Sequence, residues 1–181
     1  TYRIDQRLID DIRNGRVMAE HASSLGALIA WRLSGKGTIP AFFADPVCVD
    51  EFHAPARYSG LPEIERKSLG HALSIKAAAR KACAALELGI HDSCFVVVHL
   101  GGGISVASVR NGRIIDVNNA NAEGPFSPER CGTLPSESLA KLCYSGKYAW
   151  PELKKKLNGK GGLTAYLGTS DFERIEKRIL G

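Results

Sequence analysis

The 181-residue sequence holds no CxxC pair, and its five cysteines, at positions 48, 83, 94, 131 and 143, are odd in number. That usage argues against a disulfide framework and against a zinc site, and it fits a reduced, cytoplasmic setting. No apolar run is long enough to span a bilayer and no signal peptide is present, so a soluble chain is expected, with no membrane partner. Internal repeats and low-complexity segments are also absent. The net charge of +5 and pI near 9.0 suit anionic ligands. Yet the basic residues are scattered, with one Lys triplet at 154–156 and no aromatic-basic interleaving, so nucleic acid is not the expected partner. There is no Walker loop and no dinucleotide fingerprint. The chain begins at Thr1 without an initiator Met and ends on the helical pattern DFERIEKRILG. It is therefore expected to be an internal piece of something longer or a processed product.

What is present centres on FVVVHLGGGISVASVRNGRIIDV, residues 95–117. Phe95 to Val98 reads as a strand buried on both faces, Ile104 to Val109 as a second, and Arg113 to Val117 as a third. Asn111-Gly112 is a type I′ hairpin signal, because that turn needs positive φ at both central residues. The result is an antiparallel β-meander. Gly101, Gly102 and Gly103 then occupy its first turn, where missing β-carbons permit unusual φ and close approach of backbone N–H groups to an anion. A plain glycine-rich hairpin is the alternative. His99, at the end of the strand, needs a polar partner, and phosphate is one that the glycine amides would share; a satisfied core histidine is the alternative there.

Along the rest of the chain, Leu25, Leu28, Ile29 and Leu33 fall on one helical face, and TIPAFFAD reads as a strand with Asp45 at its carboxyl end. Ser68 to about Leu88 is an alanine-rich helix with Ser68 as N-cap, and three further helices follow the meander within TLPSESLAKLCYSG, WPELKKKLNG and SDFERIEKRIL. The spacing places a lobe boundary near Gly89, giving segments 1–88 and 89–181. A meander followed by helices is how a ribonuclease H-like lobe opens, so the fold class is α/β with ribonuclease H-like lobes. His71 falls in the first turn of the helix begun at Ser68, where unpaired N–H groups favour a neutral ring, although a structural His is equally consistent. NNANAEGPFSPERCGTLP is a long irregular loop of the kind that carries function, with Arg130 able to fork onto a carboxylate or phosphate or else to pair with Glu129 or Glu123. Cys131 has no His partner in sequence and reads as a small residue, not a nucleophile.

HLGGGISVASVRNGRIIDVNNA, EGPFSPERCGTLP, LCYSGKY, NGKGGLTAYLGT and EHASSLG…IPAFFADPVCVDE…PEIERKSLGHAL, taken in order, resemble the acetate and butyrate kinase family of acyl kinases over essentially the whole chain. The resemblance implies an actin-like ATPase architecture with ATP between two lobes, Mg2+ as the metal, and reversible phosphoryl transfer to a short-chain carboxylate, or back from an acyl phosphate. It also implies a homo-oligomer. By the same resemblance His71 stabilises the transferring phosphoryl group, and Arg130 and His21 complete the catalytic set. His99, Gly101, Gly102, Gly103 and Ser105 face the nucleotide phosphates, and Asp45 is linked to magnesium.

Those roles make physical sense, because phosphoryl transfer asks for in-line placement and positive groups, and a carboxylate acceptor is already ionised at neutral pH. The chain departs from the acetate branch in having Gly102 where Asn is usual, Gly70 where an aromatic residue precedes the histidine, and Cys131 where Ser is usual. The first phosphate loop of the family is expected before Thr1 and its adenosine motif after Gly181. Two rivals stand beside this reading: a non-catalytic ATP-binding regulatory or chaperone-like module of the same superfold, and a ribonuclease H-like nucleic-acid enzyme. The second needs clustered carboxylates on its first strands, and FVVVHLGGGIS has none.

Overall fold

The computed structural model describes residues 1–16 and 24–180. Its elements are β1 (Tyr2–Arg3), α1 (Gln6–Arg13), α2 (Ser24–Leu33), β2 (Phe42–Phe43), α3 (Ala72–Ala85), β3 (Cys94–Leu100), β4 (Ile104–Arg110), β5 (Arg113–Val117), α4 (Ser136–Tyr144), α5 (Trp150–Leu157), α6 (Gly162–Leu167) and α7 (Phe172–Leu180), with 3-10 turns at Ala54–Arg57 and Ile90–Asp92.

The meander forms as its sequence dictates. β3, β4 and β5 are antiparallel in the order β3-β4-β5, and His99 stands opposite Ser105. Asn111 (φ 54°) and Gly112 (φ 74°) both adopt the left-handed conformation that a type I′ turn requires. A bulge between Ser108 and Val109 shifts the β4–β5 register, and bulges of this kind increase local twist. Past β5 the Asn118 side chain takes over the role of strand backbone, accepting from Val106 N–H (2.6 Å) and donating to Ile104 O (3.0 Å) and Glu123 O (3.1 Å).

One face of this sheet packs on α3. Val49, Phe52, Ala72, Ile75, Ala79, Ala107, Val109, Ile114 and Val117 share one core, which joins residues on both sides of Gly89. A second cluster of Ile4, Ile9, Ile12 and Ala27 ties α1 to α2 beside the short ribbon of β1 and β2.

Four expectations are corrected. The first strand is not buried on both faces, because Val96, Val98 and Leu100 are 73%, 52% and 74% exposed while the alternate residues face α3. Of the α2 face formed by Leu25, Leu28, Ile29 and Leu33, only Leu28 packs partly buried against the core, the other three are exposed, and Ala27 is the buried residue, since a small side chain lets α1 approach closely. TIPAFFAD yields only a two-residue strand, paired antiparallel with β1, and Asp45 lies beyond it with φ 40°. Ser68 does not cap α3: its hydroxyl donates to Val49 O (2.6 Å), and His71 is the N-cap residue. The two helices α1, capped by Asp5, and α6 lay outside the sequence reading.

Ile75 is 1% exposed at the centre of the α3–meander core. Ile75→Ala is expected to lower unfolding free energy by about 2–5 kcal/mol, the range for such truncations, measured as a drop in denaturant midpoint at unchanged slope.

Candidate active site

The glycine turn joins Leu100 to Ile104, which are themselves paired across the hairpin. None of Gly101, Gly102 and Gly103 has a positive φ, so unusual backbone conformation is not why these residues are glycine. Close approach explains two of the three. A Cβ on Gly103 would stand 2.3 Å from Arg130 Nη1, and one on Gly101 would stand 3.0 Å from His99 Nε2. Gly102 has room, its nearest neighbour being Glu129 Oε2 at 3.7 Å, while its carbonyl accepts from Ser127 Oγ (2.7 Å). The turn is thus a floor across which Arg130 lies flat.

Arg130 is held over that floor from three sides. Its Nη1 donates to Ala120 O (2.8 Å), and its own N–H donates to Ser127 Oγ (3.2 Å). Glu123, one of the two expected surface partners, is engaged elsewhere, by Arg66 at 3.3 Å. Behind the loop, the segment Asn158–Gly162 is clamped backbone to backbone: Gly159 N–H (2.7 Å) and Gly161 N–H (3.1 Å) both donate to Glu129 O, and Cys131 N–H donates to Leu157 O (3.0 Å). Gly162 (φ 58°) sits so close that a Cβ would fall 1.7 Å from Ser127 O. The GKGG run, part of the NGKGGLTAYLGT motif, is therefore the support of the arginine loop. Four residues with three glycines after a helix were the available signal.

His71 enters from the opposite side, at the start of α3. Its ring stacks on that of His99 with centroids 3.8 Å apart and planes 15° from parallel. Its Nδ1 lies 2.9 Å from Ser105 Oγ, and its backbone N–H donates to the same oxygen at 3.4 Å. Gly70 makes that contact possible, since a Cβ there would meet Val117 Cγ2 at 3.2 Å and Ser105 Oγ at 3.3 Å. Val47, Leu69, Gly70, His71, Ala120, Asn121 and Arg130 line an open recess of about 110 Å3 that combines apolar side chains with the His71 ring and the Arg130 guanidinium.

Of the residues expected at the site, the structure brings together His71, His99, Gly101, Gly103, Arg130 and Ser105. Ser105, however, is fully buried with its hydroxyl turned to His71, not toward the open side of the hairpin. Gly102 is exposed at the turn. Asp45 is two residues before Val47, which lines the cavity, and its carboxylate lies 3.6 Å from Lys76 Nζ. Lys76 in turn binds Glu51 (2.7 Å). His21 lies outside the described residues. Among the described residues no group of three or more His, Cys, Asp or Glu side chains could hold a metal unaided.

Burial pushes the His71 ring below its ordinary pKa, and the neighbouring His99 and Arg130 push it further down. Burial likewise lowers the Arg130 guanidinium, which the Glu129 carboxylate partly offsets. A bound dianion would reverse the sign of the field on His71.

Two outcomes are expected from this geometry. The His71 ring should titrate below about 6.5, the value of an unperturbed histidine. Because the unfolded chain then binds a proton that the folded chain refuses, His71 contributes stability above that value that is lost as pH falls toward its folded pKa. Histidine NMR titration with and without inorganic phosphate, which should raise the pKa, checks both the direction and its cause. Separately, Gly103→Ala should displace Arg130 and cost function with little loss of stability, because the atom it meets is the tip of a side chain, whereas Gly102→Ala should be tolerated in both respects. Melting temperature beside turnover of each variant in the full-length protein distinguishes them.

The Acetokinase family profile matches residues 55–180. A probable butyrate kinase of Phocaeicola vulgatus is 52% identical over 178 residues, covering 98% of this chain and 50% of the relative. Butyrate kinase 2 of Clostridium acetobutylicum is 48% identical, covering 99% of this chain and 51% of its own length. The chain thus spans about half the length of the curated relatives it matches. Among solved structures, Porphyromonas gingivalis acetate kinase superposes with a TM-score of 0.78 at 22% identity, covering 98% of this chain and 47% of that one. A propionate kinase from Francisella tularensis gives 0.78 at 19% identity, with 98% and 48% covered. The fold is therefore that of these acetate and propionate kinase structures, and the chain belongs to the acetokinase family.

Proposed function

We propose that the full-length protein is an acyl kinase that moves the γ-phosphoryl group of ATP reversibly onto butyrate or a similar short-chain carboxylate, giving the acyl phosphate and ADP. The observation that carries this reading is a recess of about 110 Å3 in which Arg130 and His71, the latter stacked on His99, stand among the apolar residues Val47, Leu69 and Ala120. Relatives named butyrate kinase at about half identity support the acceptor class.

In this reading the acceptor carboxylate attacks the γ-phosphorus and the bond to the ADP oxygen breaks. No general base is required, because the nucleophile is already an anion near neutral pH. The protein contributes position and charge. Arg130, fixed by Ala120 O, Ser127 Oγ and the Asn158–Gly162 clamp, presents the rest of its guanidinium to carboxylate or phosphoryl oxygens. His71, neutral and with Nδ1 occupied, offers its other ring nitrogen to the phosphoryl group. His99 lies flat against it beside the glycine turn, whose backbone would line the nucleotide phosphates. The apolar flank of Val47, Leu69 and Ala120 receives the acyl chain and keeps water from the carboxylate.

Magnesium usually keeps several waters and takes one or two carboxylates plus substrate phosphates. Asp45 fits as the single protein carboxylate, because Lys76 remains paired with Glu51 if Asp45 turns to a metal. The ion bound there would neutralise phosphate charge. A division into two lobes near Gly89, assembly as a homo-oligomer and a cytoplasmic setting, where the five free thiols stay reduced, belong to the same reading.

Trapping of the acyl phosphate as a hydroxamate, with ATP, Mg2+ and butyrate, is the direct test on the full-length protein. ATP binding without hydroxamate would favour a regulatory or chaperone-like module instead. His71→Ala should lower turnover about 10²- to 10³-fold, the scale of one lost transition-state donor, and Arg130→Lys should also be costly because an ammonium cannot reproduce a two-pronged contact. Unchanged kcat in both variants would remove these residues from the chemistry.

A further inference from the structure

We propose that Ser105 is a positioning residue that fixes the tautomer of His71, holding the ring as the Nε2–H form so that it meets its ligand as a hydrogen-bond donor. This rests on the reading of His71 as a phosphoryl-contacting group, and it gives Ser105 a role other than contact with phosphate.

The argument is a count of protons at one buried oxygen. Ser105 is 0% exposed, so its hydroxyl hydrogen has no water to turn to. The hydroxyl has two neighbours within hydrogen-bond range, His71 Nδ1 at 2.9 Å and the His71 backbone N–H at 3.4 Å. The backbone group can only donate, so it takes a lone pair of the oxygen. The hydroxyl hydrogen is left with one acceptor, Nδ1, and that nitrogen must be bare to accept it. A neutral imidazole with a bare Nδ1 carries its proton on Nε2. If Nδ1 were protonated instead, two donors would face the oxygen and the hydroxyl hydrogen would be buried without a partner, at a cost typical of an unsatisfied polar group. The same count disfavours imidazolium, in line with the lowered pKa of this ring.

Two further features hold the arrangement. Ser105 is locked by the β3–β4 ladder opposite His99, and His99 stacks on the His71 ring, so one hairpin fixes both the rotation of the imidazole and its protonated nitrogen. Gly70 leaves the space in which the hydroxyl reaches the ring; any Cβ there would press on Ser105 Oγ at 3.3 Å. An aromatic neighbour is therefore not needed to orient His71 in this chain.

The test is made on the full-length protein labelled with 15N in histidine. Long-range 15N–1H correlation spectra distinguish a bare from a protonated ring nitrogen. For the wild type above its His71 pKa, the expected pattern is a bare Nδ1 and a protonated Nε2; the opposite pattern, or an even mixture, overturns the proposal without any variant being made. Ser105→Ala should convert His71 to a mixture of tautomers and lower kcat by about tenfold or more with nucleotide KM changed less than about twofold, and Ser105→Thr, which keeps the hydroxyl, should restore the wild-type tautomer. A Ser105→Ala protein that keeps the pure Nε2–H form, or that changes tautomer with kcat unaltered, overturns the positioning role. Because the tautomer is read from the spectrum and not from turnover, a protein that lacked acyl kinase activity would remove the proposed reaction while leaving the assignment of Ser105 to be judged on its own.

Discussion

Everything at the site hangs on the contact between the first turn of α3 and the floor of the meander. Gly70, without a side chain, lets Val117 and Ser105 come within reach of the backbone there, and His71 is delivered as the N-cap residue directly over β4. The same α3 buries Ile75 and Ala79 against Val109, Ile114 and Val117. The apolar area removed from water by that packing therefore also sets the position of the imidazole, so stability and site geometry share one interface.

Around that contact the molecule uses glycine for proximity more than for backbone freedom. Gly103 admits the Arg130 guanidinium, Gly101 admits the His99 ring, and Gly162 admits the carbonyl of Ser127. Each of these places a polar group closer to main chain than a methyl would allow without a shift, slight at Gly101 and large at Gly162, where a positive φ also favours glycine. The outcome is a small recess lined by four stretches of chain, around residues 47, 70, 120 and 130, and backed by the 158–162 segment, all far apart in sequence. Rigid support of this kind is what a reaction needs when the protein supplies charge and placement in place of covalent chemistry.

Arg66 and Asn118, which flank the recess, are hydrogen-bonded within the protein. Arg66 donates to Ala56 O and Val117 O while pairing with Glu123, and Asn118 fastens the start of the loop to β4. With Glu123 engaged by Arg66, Arg130 donates to a backbone carbonyl and is offset in part by the Glu129 carboxylate. The excess positive charge is thus local, and the scattered basic residues elsewhere in the chain need not contribute to it.

The meander was legible in the sequence because its signals are local: β-branched runs, an Asn-Gly turn and glycines at a strand end act within a few residues. The motif residues His71, His99 and Arg130 were legible through their order along the chain. What the sequence could not reveal was which partner each would take. The exposed stripe of α2, the two-residue strand at Phe42–Phe43 and the cap at His71 in place of Ser68 were all decided by tertiary contacts that override local propensity. Ser105 read as one more phosphate-facing residue because it follows the glycines. Only the fold, by stacking His71 on His99 across the hairpin, turned its hydroxyl inward, since a buried hydroxyl must bond whatever acceptor the packing brings within 3 Å.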